Sequence, residues 1–139
     1  MSVETLQTKP SLSGILKNGA IAGGVAVVVN AVLYLVSNAL GWFPADVLSP
    51  MGTPITLAPV IGMTVFGAVA GTVGYLVLSR FLSRAQANRW FTILAVVVLV
   101  LMTTTPLGLS GAPVMQIVML EVMHLVIGVA LIYYLPKSA

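Results

Sequence analysis

The sequence predicts an all-α integral membrane protein, a bundle of four transmembrane helices with both ends in the cytoplasm. Three observations carry this reading. Of the 139 residues 59% are hydrophobic and 6% charged, whereas a soluble domain carries about 25% charged residues. The charge-free stretches are long enough for spans of ~20 residues each. Every Lys and Arg falls on one side of the resulting topology. With a mean hydropathy of +1.10, an ordinary soluble fold is excluded, and four spans leave too little of this chain for an extramembrane catalytic or receptor domain.

Taken in order, residues 1–15 read as a polar cytoplasmic tail containing Thr8-Lys9-Pro10-Ser11. The charge-free window Asn18–Ala45 holds the first span, placed at about 19–40. Ser37-Asn38-Ala39 has the form of a signal cleavage site. The apolar run before it is longer than the ~7–15 residues of a signal core, so the segment reads as a retained span. The loop Gly41–Ala58, with Pro44, Pro50, Pro54 and Pro59 in or beside it, suits a stiff interfacial cover. The window Val47–Ser79 holds the second span, about 58–79. Between Arg89 and Lys137 the single charge is Glu121, and the breaker-rich run from Thr103 to Pro113 divides the stretch into spans at about 90–108 and 114–135.

Four spans put both termini on one side, together with Lys9, Lys17, Arg80, Arg84, Arg89 and Lys137; the opposite side carries Asp46 and no Lys or Arg. The positive-inside rule then places the termini in the cytoplasm. Trp42, Phe43, Trp90, Phe91, Tyr133 and Tyr134 lie near span ends, where aromatic side chains anchor in the interface. Six scattered basic residues make no nucleic-acid stripe. The absence of cysteine removes disulfides, thiolate metal sites and cysteine nucleophiles.

Small and polar residues mark the buried faces of membrane helices, because helix association in lipid depends on close packing and hydrogen bonds. Gly19, Gly23, Asn30, Tyr34 and Asn38 share one side of the first span, and Thr64, Gly67, Gly71 and Gly74 one side of the second. Glu121, His124 and Gly128 share a face of the fourth. The glycines are expected to pack helices within the bundle, with a dimer face as the alternative. At ~1.5 Å per residue, Tyr34 and Thr64 fall ~9 Å deep, Glu121 ~10 Å, and Asn30 and His124 ~15 Å from the same edge. These five residues are therefore expected to form a polar intramembrane cluster, with Gln116 and Thr103 to Thr105 nearby.

Glu121 is the most informative residue, since an ionisable group in a membrane helix costs at least ~2.5 kcal/mol and faces protein or water. His124, one turn away, is its expected partner. The pair suits a structural knot that sets helix register, a proton-linked pathway, or axial ligation of a haem or chlorophyll by the single His124. Glu121-x-x-His124 also matches half of a di-iron site, but the further carboxylates such a site needs are absent from the spans. No serine elbow or zinc-ligand cluster supports hydrolytic chemistry, so no catalytic residue and no metal site are expected.

Four segments also carry a family likeness: the Gly-rich first span ending in Asn30-Ala31-Val32-Leu33-Tyr34, the run Gly67-Ala68-Val69-Ala70-Gly71, the run Arg80-Phe81-Leu82-Ser83-Arg84 after it, and Met123-His124-Leu125-Val126. Together they resemble a bacterial family of small four-span membrane proteins classed as a domain of unknown function, over roughly residues 12–136. The resemblance implies a four-helix inner-membrane protein and marks Asn30 and His124 as family features. It implies no activity, cofactor or substrate. The expected role is a non-enzymatic structural or accessory subunit embedded in the lipid bilayer, associating with itself as a homo-oligomer or with a larger membrane complex. A small oligomeric channel or proton-linked transporter using Glu121 and His124 is the alternative, and a single-His cofactor-binding subunit a third.

Overall fold

The computed structural model describes residues 8–139; residues 1–7 of the expected tail lie outside them. The described residues hold four long helices, each long and apolar enough to cross a membrane: α1 (Leu12–Ala39), α2 (Leu57–Phe81), α3 (Arg84–Met102) and α4 (Val114–Tyr134). A single helical turn, Thr104–Leu107, follows α3, and a 3-10 turn, Leu135–Lys137, follows α4.

Local chemistry sets the ends. The Ser11 hydroxyl accepts from the Gly14 amide at 3.0 Å, so α1 starts at Leu12 rather than near residue 19. Its 28 residues rise ~42 Å against a hydrocarbon core of ~30 Å, which lets the turn holding Lys17 and Asn18 reach past the apolar layer. At the other end Gly41 has φ +77°. Its amide donates to the Asn38 carbonyl and the Trp42 amide to the Ser37 carbonyl, both at 3.0 Å, the Schellman pattern in which a left-handed residue closes a helix. Ser83 and Gln86 form a capping box that starts α3 at Arg84, ahead of the expected position 90.

Short contacts show that α1 begins, α2 ends, α3 begins and α4 ends at one end of the bundle. Lys9 Nζ donates to the Arg80 carbonyl at 2.7 Å, the Ser11 amide donates to the Ala139 carbonyl at 2.7 Å, and Arg84 Nη2 donates to the Ser138 carbonyl at 2.7 Å. We call this the termini end and the opposite one the loop end. In cross-section α2 and α4 touch along the short diagonal, and α1 and α3 each pack against both. Arg84, a cation at a helix start where the dipole disfavours it, has its guanidinium on the carbonyls of Pro136 and Ser138 instead.

Apolar packing falls into two clusters. One, toward the termini end, centres on Ile15, Ala22, Ala26, Tyr75, Phe91, Leu131 and Leu135, with Tyr75 and Phe91 edge to face at 5.3 Å. The other, at the loop end, joins Tyr34, Phe43, Val60 and Met123, with Tyr34 and Phe43 edge to face at 5.0 Å. The loop between α1 and α2 thus inserts Phe43 into the bundle rather than only covering it. Glycines set the helix separations: a Cβ on Gly19 would run into the Thr72 side chain, one on Gly23 would lie 2.9 Å from the Ala68 Cβ, one on Gly71 would press on Leu131 and one on Gly128 on Leu99. Gly67 is looser, at 3.5 Å from Ile127, and Gly74 faces open space, so it takes no part in helix contact. Gly67 and Gly71 therefore face α4 of their own chain.

Candidate functional site

The polar centre of the bundle is Asn30. Its Nδ2 donates to Thr64 Oγ1 at 3.0 Å and to the Met123 carbonyl at 3.2 Å, joining α1 to α2 and α4 at one point. Thr64 is held in turn by its own bond to the Val60 carbonyl at 2.7 Å. Helices so joined cannot slide or rotate without breaking these bonds, which in hydrocarbon have no aqueous replacement. Tyr34, one turn toward the loop end, donates to the Ile55 carbonyl at 3.4 Å, tying the α1–α2 loop to α1.

Glu121 and His124 do not join this junction. Gly71 against Leu131 and Gly67 against Ile127 set the α2–α4 register, which puts Thr64 level with His124, yet the Thr64 hydroxyl is engaged by Asn30 and Val60. Gly128 against Leu99 sets the antiparallel α3–α4 register, which puts His124 level with Thr103 and Glu121 level with Pro106. Thr103 and Thr104 donate back to the Val100 and Leu101 carbonyls, and neither bonds to Glu121 Oε1 or His124 Nδ1. Both Glu121 and His124 are half-buried. Glu121 Oε1 and His124 Nδ1 are buried atoms without a hydrogen-bond partner, so no bond from either atom joins the two residues despite their spacing.

Two further residues belong to this region. Ser37 and Gln116 are fully buried, and Ser37 Oγ and both polar atoms of the Gln116 amide lack hydrogen-bond partners, as does Asn30 Oδ1. The seven-residue steps from Asn30 to Ser37 and from Met123 back to Gln116, two turns along facing antiparallel helices, are the sequence signal that locates them. Among the described residues, the six buried polar atoms without a partner lie at the level of Asn30 and His124 or toward the loop end.

The termini half contrasts. Asn18 Nδ2 donates to the Tyr134 carbonyl at 2.9 Å, and the Tyr75 hydroxyl to Asn88 Oδ1 at 2.6 Å. Thr72 and Ser79 bond to carbonyls of their own helix. Lys9, Lys17, Arg80, Arg84, Arg89 and Lys137 cluster at that end, and Asp46 stands in the loop at the other. Among the described residues no group of three or more His, Asp or Glu is placed to share a metal ion.

The model of a family of unknown function (DUF6069) matches residues 10–139. No curated protein and no solved structure matches the chain.

Proposed function

The chain belongs to the DUF6069 family, and from that premise we propose that it is a non-enzymatic multi-pass protein of the bacterial inner membrane, a structural or accessory subunit that associates with a second copy of itself or with a larger membrane complex. The observation that carries this is the pair of ionisable residues, Glu121 and His124, set in a membrane-length helix and only half-buried, so that part of each side chain stays open to a neighbour. Ionisable groups inside a membrane almost always face a partner. These two lie on the side of α4 that turns toward α3; Oε1 and Nδ1 are enclosed by the chain itself, and it is the open part of each residue that a neighbouring protein would meet. With six cations at the termini end, the positive-inside rule supports cytoplasmic termini.

A pathway through one chain has less support, because the polar groups of the termini half are bonded to one another and Ala22 and Ala26 close the α1 face there. Native mass spectrometry from nanodiscs tests the proposal. Wild type should give an assembly heavier than the 14.5 kDa chain, and Glu121→Leu or His124→Leu should shift it toward the single chain. Assemblies of unchanged mass in both variants would remove these residues from the interface.

A further inference from the structure

Ser37 differs from six other hydroxyls of the bundle. Thr64, Thr72, Ser79, Thr92, Thr103 and Thr104 each bond to a carbonyl three or four residues back along the chain, the usual way a hydroxyl is satisfied in a membrane helix. Ser37 Oγ has no partner although the residue is fully buried. It shares a face of α1 with Asn30, two turns away, and Asn30 meets α4 at the Met123 carbonyl. Two turns along antiparallel α4 from Met123 is Gln116, also fully buried, with its amide nitrogen and oxygen both unpartnered. Ser37 and Gln116 therefore stand at one level of the α1–α4 interface, and Asn30 Oδ1 lies at its deeper end.

Buried polar atoms in native proteins are hydrogen-bonded, to protein or to water, and four in one seam are not left dry at random. No neighbouring chain can reach them, since both Ser37 and Gln116 are wholly enclosed. What fits is small, uncharged and able to donate and accept: the seam offers donors at Gln116 Nε2 and Ser37 Oγ and acceptors at Gln116 Oε1 and Asn30 Oδ1, and a buried water takes two to four such partners. We propose that Asn30, Ser37 and Gln116 form an internal water site between α1 and α4, in the loop half of the bundle. The site is a blind one. Past Asn30 the same face of α1 continues with Ala26, Ala22 and Ile15, all fully buried, so water reaches the Asn30–Thr64 junction and stops. This inference stands apart from the subunit role, which rests on Glu121 and His124.

Water-edited solid-state NMR of the full chain in nanodiscs tests it. Magnetisation from water protons should reach the side-chain amide of Gln116, assigned by its loss in Gln116→Leu, at mixing times that leave Ala22 and Ala26 dark. An amide as dark as those alanines overturns the proposal. Thermal unfolding gives an independent reading. In a dry seam Gln116→Leu replaces an unsatisfied amide with an apolar group and raises the unfolding midpoint. In a hydrated one it removes partners of the water that serves Ser37 and Asn30, and the midpoint falls. A midpoint equal to or above wild type overturns the proposal.

Discussion

Replacing Asn30 by Leu removes the two bonds its amide donates, to Thr64 Oγ1 at 3.0 Å and to the Met123 carbonyl at 3.2 Å. Interhelical hydrogen bonds in membranes average ~0.6 kcal/mol and reach ~1.7. The pair is therefore worth about 1 kcal/mol, and ~3 kcal/mol if both bonds are of the strong kind. Thr64→Val keeps the shape of the side chain and removes the acceptor, together with Thr64's own bond to Val60. The two substitutions share one bond, so a double-mutant cycle isolates it, with an expected coupling of ~0.6 kcal/mol. Reversible unfolding in mixed micelles of dodecyl sulfate and a mild detergent measures all four proteins. A coupling indistinguishable from zero, with both single variants folded, would refute the junction as the point that joins α1 to α2.

Gly19→Ala sets a Cβ into the Thr72 side chain and should destabilise the bundle by about 1–3 kcal/mol, whereas Gly74→Ala meets open space and should be neutral or stabilising by up to ~1 kcal/mol; the same unfolding assay separates them. Arg84→Ala frees the Pro136 and Ser138 carbonyls, and hydrogen exchange over residues 135–139 should rise while that of α1 near Asn30 stays slow. Phe43→Ala empties the edge-to-face contact with Tyr34 and should cost about 3 kcal/mol or more, read as a lower unfolding midpoint. The purified protein should lack a visible absorption band; a band that disappears in His124→Ala would instead make His124 an axial ligand.

The sequence carried the helix count because apolar length is a one-dimensional property, and it carried the Asn30–Thr64 layer because depth follows from counting residues along antiparallel spans. Helix starts were less legible. Lys17 and Asn18 closed the apolar window, yet α1 runs on to Leu12, since a helix capped by Ser11 continues beyond the hydrocarbon layer. The Glu121–His124 spacing placed both on one face, but sharing a face does not decide where side chains turn, and no hydrogen bond joins their buried atoms. The Met123 carbonyl was invisible because a backbone acceptor leaves no mark in residue type. Gly74 shows the reverse failure: its spacing fits the glycine stripe, but helix rotation turns it away from every neighbour.

The central claim is that the α4 face bearing Glu121 meets another protein. Leu125 lies one turn from Glu121 on that side and is 53% exposed, and Val69 on α2 is 58% exposed elsewhere on the bundle. Because the chain has no cysteine, Leu125→Cys and Val69→Cys each introduce a single thiol for cross-linking in native membranes. The account predicts a cross-linked product heavier than the single chain from Leu125→Cys and none from Val69→Cys. Leu125→Cys remaining entirely at the single-chain mass would contradict it.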